Sequence, residues 1–318
     1  MSSLRLSNRR VLFCEVIFLR LKKVVPYLFL TPHAIFFGMF FIFPLFKSIF
    51  MSFTEWGLFQ GMIKFVGFEN YEKIFTAGYR SRYFWKAIWV TVQFVIYSVP
   101  LLIVIALLLA LLLNNKKLKL KNFYLTAFFI PTALSATVIA VIWKWIMNNQ
   151  AGLLNYFLSF IGVDKIPWIT DLPWVWLAII IPTIWWTVGW NTIIILGGLS
   201  KIPEVLYDAA KVDGASRFKR FIHVTLPGLK NVLMFVTITQ VLASFGLFAQ
   251  SQLITGGGPA RATLPIMLHI YNEAFNRSRP RMGYAAAMSI ITGIIILSVT
   301  FIQYYLFTHQ RKVKRYHG

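Results

Sequence analysis

The amino-acid sequence predicts an all-α integral membrane protein with about six transmembrane helices, and three observations carry that prediction. Apolar side chains make up 58% of its 318 residues, above the roughly 45–50% of soluble domains, and the mean hydropathy is +0.67. The apolar residues collect in runs of roughly 20 or more, enough to cross about 30 Å of hydrocarbon. The 32 Lys and Arg and the 10 Asp and Glu fall almost entirely between those runs.

Taken in order, the runs place spans at 26–50, 87–113, 123–146, 174–198, 231–254 and 283–307. Before the first, residues 1–25 alternate Leu, Val and Phe with Arg5, Arg9, Arg10, Arg20, Lys22 and Lys23. That pattern suits an interfacial helix on anionic lipid or a plain basic tail. The apolar stretch that follows is too long and bulky for a cleaved signal peptide and reads as a first span. The lone Cys14 excludes an internal disulfide framework, and residues 311–318 form a basic tail. The domain organisation expected is therefore a segment 1–25, a membrane domain 26–310 containing a long loop 199–230, and a tail 311–318.

Charge asymmetry gives an orientation. The N-terminus, the 114–122 and 199–230 loops and the C-terminus hold about twenty Lys and Arg, against about ten in the three opposite loops, which also carry six acids. The positive-inside rule then puts both termini in the cytoplasm. None of the 11 tryptophans lies in the four segments assigned inside, whereas Trp56, Trp85, Trp143, Trp168 and Trp174 gather near the opposite face. With the basic residues flanking spans, their role is topological and nucleic-acid binding is not expected, despite a formal charge of +22.

Several classes of function lack the groups they need. No Asp or Glu lies inside a span, and Lys47 and Lys144 sit near span ends, where their ammonium groups can snorkel. An ion-coupled transporter or channel usually places an acid at mid-membrane. A membrane enzyme acting on a lipid-linked substrate needs paired carboxylates, a nucleophile with its base, or a metal cluster. The five histidines are scattered without ligand spacing, and the dipeptide Gly-Lys of a phosphate-binding loop never occurs. A chain of this composition that moves solute uphill needs its energy from a partner.

The longest interior connection is built to be gripped. Pro203-Glu204 suits the first turn of a helix, and Ala209-Ala210 keeps the next turn slim. Asp213-Gly214 breaks the helix, Gly by taking positive φ and Asp by capping a second short helix near Ala215. Leu226-Pro227-Gly228 is expected to stop that second helix just before the fifth span. The alternative is an amphipathic linker, which thirty residues would exceed.

This loop resembles the EAA motif of the membrane-spanning subunits of binding-protein-dependent ABC importers: Glu-Ala-Ala, three residues, Gly, nine residues, Ile, one residue, Leu-Pro. Here the positions read Asp208-Ala209-Ala210, Gly214, Val224 and Leu226-Pro227, every spacing kept, with Asp for Glu and Val for Ile. Asp213-Gly214-Ala215, Thr255-Gly256-Gly257-Gly258-Pro259 and Gly67-Phe68-Glu69-Asn70-Tyr71 look like the sugar-importer branch of maltose-type and glycerol-phosphate-type permeases. The resemblance covers roughly residues 25–310 and implies a type I importer permease fold. It implies that Asp208 meets a basic residue of an ATPase subunit, while Ala209, Ala210 and Gly214 permit close contact and Asp213, Leu226 and Pro227 complete the coupling loop. It further implies no cofactor in this chain, ATP and Mg²⁺ being bound by the partner ATPase. The implied partners are a second permease subunit, two cytoplasmic ATPase subunits and an extracytoplasmic solute-binding protein, all within membrane lipid.

A hydrophilic solute needs polar side chains on pore-facing helix surfaces. Thr183, Thr187 and Asn191 recur at i, i+4 and i+8 in the fourth span, and Thr237, Gln240, Ser244 and Ser251 form a stripe in the fifth, near Phe245 and Phe248. Placed by the resemblance, the middle of these stripes falls where maltose-type permeases bind sugar, which makes Thr187, Asn191, Gln240, Ser244 and Phe248 the substrate candidates. The same residues could instead tie helices together. Trp185, Trp186 and Trp190 could stack on pyranose rings or pack among themselves, and Pro182 and Gly189 could relax the helix locally. The reading that results is the permease subunit of an ATP-driven importer for a sugar or oligosaccharide. Its rivals are an ion-coupled transporter or channel and an importer of a non-sugar solute such as glycerol phosphate.

Overall fold

The structure, a computed structural model, describes residues 25–315 apart from 77 and 116, with the backbone alone from 309 onward. The expectations for residues 1–24, and for the side chains of the basic tail, lie outside the described residues. Five helices are long and apolar enough to span a membrane: α1 Val25–Ser52, α3 Tyr79–Leu113, α7 Trp174–Leu199, α9 Arg217–Phe245 and the membrane part of α11, Met282–Thr308. The sixth predicted span is two helices, α4 Lys121–Ala133 and α5 Ala136–Ile146, bent by 101°. Between these run the antiparallel hairpin β1 Thr54–Gly57 and β2 Gly61–Phe65, and the short helices α2 Glu69–Phe75, α6 Leu153–Ser159, α8 Glu204–Val212 and α10 Ile266–Phe275.

The bend corrects the expected continuous 123–146 span, and local chemistry explains it. Pro131 tightens the end of α4 into a 3-10 turn, Leu134 and Ser135 turn extended, and the Ser135 hydroxyl caps α5 by accepting from Val138 N at 3.3 Å. Inside hydrocarbon the carbonyl freed by such a break needs a donor. Trp186 supplies one, its Nε1 donating to Leu134 O at 3.0 Å.

The fifth span also departs from expectation, beginning fourteen residues early and ending at Phe245 instead of 254. Pro227 does not stop the helix. Phe221–Thr225 widens into a π turn, closed by Leu226 N donating to Phe221 O, and the helix continues through Pro227. The wider turn gives the proline ring room against the preceding carbonyls. Pro44 is met in the same way by the π turn Gly38–Ile42 in α1.

Three apolar clusters hold the helices. Phe84, Val241, Ile266 and Met288 join α3, α9, α10 and α11. Phe94, Leu102, Ala106, Ile179, Ile195, Leu229 and Val236 join α3, α7 and α9. Ala140, Met147, Trp168, Ala178 and Ile254 seat α5 against α7 and the π turn Ser251–Thr255. The hydropathic window of α1 buries none of its residues, leaving Phe36, Phe37, Phe40 and Phe41 on the surface. A lipid-exposed surface is apolar at no cost, which is why hydropathy located α1 while burial would not.

Candidate functional site

The candidate residues of α7 and α9 meet beside the bend between α4 and α5. Thr183, Thr187, Gln240, Ser244, Phe248 and Gln250 line a cavity of about 390 Å³. A second cavity, of about 340 Å³, opens between Thr132, Trp186, Thr187, Trp190 and Gln240. Trp186, Thr187 and Gln240 are shared by both. None of the described residues lining either cavity is charged.

The polar groups are ordered by the helices that carry them. The hydroxyls of Thr183, Thr187 and Ser244 donate back to Ile179 O, Thr183 O and Gln240 O at 2.8 Å, leaving their oxygens as acceptors on the cavity side. Asn191 departs from its expected place and lines neither cavity. It is fully buried, donates to Thr187 O at 2.9 Å and accepts from Gln240 Nε2 at 3.0 Å. Asn191 thus ties α7 to α9 behind the wall and fixes the Gln240 amide, the helix-tying role that sequence left open. Thr237 donates to Leu233 O and the fully buried Ser251 hydroxyl bonds Thr263 O, and neither lines the two cavities.

The tryptophans divide similarly. Trp185 packs edge-on against Trp143 and Trp190 lies against Phe129, while Trp186 and Trp190 present surface to the second cavity. Gly189 serves close approach and not helix relaxation, since a Cβ there would lie 2.0 Å from Phe128 O. That contact seats α4 on α7 and forms the cavity corner. Gln250 was missed because the helix expected to run unbroken over 231–254 is interrupted at 246–248, just before it.

At one end of α7 and α9 lies the EAA-like loop. Pro203 precedes α8, and Gly214 ends it at φ +75. A Cβ there would meet open space, but the backbone is one that L residues rarely adopt. The cap of the next helix is Ser216, whose hydroxyl accepts from Lys219 N at 3.3 Å, and not Asp213 as expected. Serine wins because the residue two places after the αL glycine is the one in extended geometry, φ −60 and ψ 163. Asp208 pairs with Lys211 at 2.6 Å on an exposed surface, so the pair contributes little to stability, roughly 0–1 kcal/mol. Around it, Val205, Leu206, Val212 and Phe218 stand out, with Val212 88% accessible.

The opposite end is pinned by polar clamps. Lys86 Nζ donates to Ala260 O at 2.9 Å, and the Arg261 guanidinium sits 3.6 Å from the centre of the Tyr83 ring, holding the glycine-rich turn 256–258 over the start of α3. Glu273, buried in α10, pairs with Arg277 and faces Arg281 at 3.9 Å. Burial pushes His269 down from 6.5 to about 4, so this imidazole is neutral near pH 7. No cluster of three or more metal-ligating side chains occurs among the described residues.

The profile of the family described as binding-protein-dependent transport system inner membrane component matches residues 74–312, and the chain belongs to that family. It is 33% identical over 284 residues to the probable ABC transporter permease protein YurN of Bacillus subtilis, covering 88% of this chain and 95% of the relative. The lactose transport system permease protein LacF of Rhizobium radiobacter is 34% identical over 291 residues, 90% of this chain and 95% of the relative. The trehalose/maltose transport system permease protein MalF of Thermococcus litoralis is 34% identical over 276 residues, covering 87% and 91%. A chain of the bacterial alginate ABC transporter, solved with an alginate pentasaccharide-bound periplasmic protein, superposes with a TM-score of 0.75 at 22% identity, covering 89% of this chain and 94% of that one. That likeness bears out the expected all-α importer permease fold.

Proposed function

We infer that this chain forms part of the translocation pathway of an ATP-driven importer for a neutral sugar or oligosaccharide. The carrying observation is the cavity pair around Thr187 and Gln240: uncharged, lined by hydroxyl and amide groups, and walled by Trp186, Trp190 and Phe248. Hydroxylated rings need that combination of hydrogen-bonding edges and flat apolar faces. Relatives named for lactose, trehalose/maltose and arabinooligosaccharide transport support the substrate class. The same lack of charge disfavours glycerol phosphate, which needs cationic partners.

The chain contributes no ATPase site in this reading. Energy enters where α8, with Asp208, Ala209, Ala210 and Gly214, docks on a cytoplasmic ATPase that binds ATP and Mg²⁺. Asp213, Leu226 and Pro227 shape the loop that holds α8 there. The positive-inside count supports a cytoplasmic position for this end and for both termini. The complex has a second permease, two ATPase subunits and an extracytoplasmic solute-binding protein. Closure of the ATPase pair moves α8, and the helices rock between inward- and outward-open states as rigid bodies.

The test is uptake into vesicles containing the assembled complex. The expected result is import that needs ATP on the ATPase side and the binding protein on the other, and is indifferent to a proton uncoupler. Import driven by a proton or sodium gradient without ATP overturns it.

A further inference from the structure

Resting on that reading, we propose that Tyr207 is a positioning residue of the coupling machinery, which locks α8 to α9 through its hydroxyl and so determines how much ATPase motion reaches the cavity. The Tyr207 and Thr225 hydroxyls share a hydrogen bond of 3.0 Å across the two helices. Thr225 is only 4% accessible and is the last residue of the π turn Phe221–Thr225.

The direction of the Thr225 hydroxyl is unusual for this molecule. In membrane helices a threonine hydroxyl ordinarily donates to the carbonyl one turn back, and Thr183, Thr187, Thr192, Thr237, Thr292 and Thr300 all do so here. Thr225 instead reaches a neighbouring helix, at the one place in α9 where the ladder is widened.

That place is where force would be lost. α8 and α9 are joined by a turn through Gly214, a backbone that bends easily, and a π turn is itself a soft point in a helix. Among the described contacts, the Tyr207–Thr225 hydroxyl pair bridges the joint, and in the turn before α8 Ile202 packs against Gly228, where a Cβ would lie 2.7 Å from Ile202 Cδ1. Beyond the joint α9 is continuous over Leu226–Phe245, 20 residues, about 30 Å at 1.5 Å per residue, and carries Gln240 and Ser244 in the cavity wall. With the hydroxyl pair made, α8 and the α9 rod move together. Without it, α8 swivels on the π turn and the motor cycles with less movement at Gln240.

The experiment uses the whole complex in proteoliposomes with its binding protein, and reads ATP hydrolysed per solute imported. Tyr207→Phe and Thr225→Val remove one hydroxyl each while keeping shape. Each is expected to raise the ratio about twofold to tenfold, the range one hydrogen bond spans. The double variant is expected to match the worse single variant, since both delete the same bond. Wild-type ratios in both single variants, or effects that add in the double, overturn the proposal. So does reduced assembly of the ATPase with a normal ratio in the complex that remains, which would show a merely structural role. If the wild-type chain itself assembles with no ATPase, the functional reading fails first, an outcome separate from any behaviour of the variants.

Discussion

The two ends of α9 were shaped by opposite kinds of information. At its start, the joint with α8 is local: Asp208, Gly214, Ser216 and Thr225 lie within eighteen residues, and the contact that closes it joins Tyr207 to Thr225. Near its other end, the cavity wall is assembled from α3, α4, α5, α7, α9 and the segment 246–250, so its members come from segments more than a hundred residues apart. The joint is closed by a contact between near neighbours in sequence, Tyr207 and Thr225. The cavity exists because a helix breaks and Gly189 lets a backbone in.

That contrast makes the predictions unequal. The largest effect is expected at Gly214, where φ +75 charges any side chain about 1–2 kcal/mol in strain and tilts α8. Gly214→Trp should reduce uptake below about a tenth of wild type with membrane insertion intact, as read by solute counting and by the amount of chain in membranes. Normal uptake would show that the joint is not stiff.

Thr187 and Asn191 sharpen the comparison within the cavity end, because one lines both cavities and the other faces Gln240. Thr187→Val should raise the apparent KM of uptake severalfold, by about the loss of one hydrogen bond, with thermal stability unchanged. Asn191→Ala should do the reverse first: about 1–2 kcal/mol less stability in a detergent melt, with a smaller change in KM. Exchanged phenotypes would put Asn191 back on the pore.

The smallest effect is expected far from both, at His269. Its folded pKa lies below its unfolded one, so the unfolded chain binds the extra proton between about pH 6.5 and about 4. Stability attributable to this group is therefore complete above about 6.5 and falls as pH drops towards 4. His269→Asn should flatten that part of the stability–pH curve, and a curve of unchanged slope would contradict the burial argument.

The legibility of each region follows the same division. Hydropathy found the spans, three of them almost to their ends, since lipid imposes one composition on every exposed face. The spacing from Asp208 to Pro227 was readable because caps and αL glycines act over a few residues. What sequence missed was non-local or competitive. The break at Leu134–Ser135 depends on a Trp186 donor fifty-two residues away. Pro227 looked like a stop until a π turn absorbed it, and Ser216 took the cap that Asp213 was expected to hold. Asn191 shares the helical face of Thr187 in a projection, but a neighbouring helix decides which of them reaches open space.

The central claim is that α8 grips a separate ATPase on the cytoplasmic side. Val212 is 88% accessible at the tip of that helix, and Cys14 is the sole native cysteine, so a Cys14→Ser background lets a Val212→Cys variant carry one thiol. A bifunctional thiol reagent should join that position to the ATPase subunit, with a yield that changes when ATP is added. Labelling of the same thiol by an impermeant reagent from outside intact cells, with no ATPase adduct, would contradict the account.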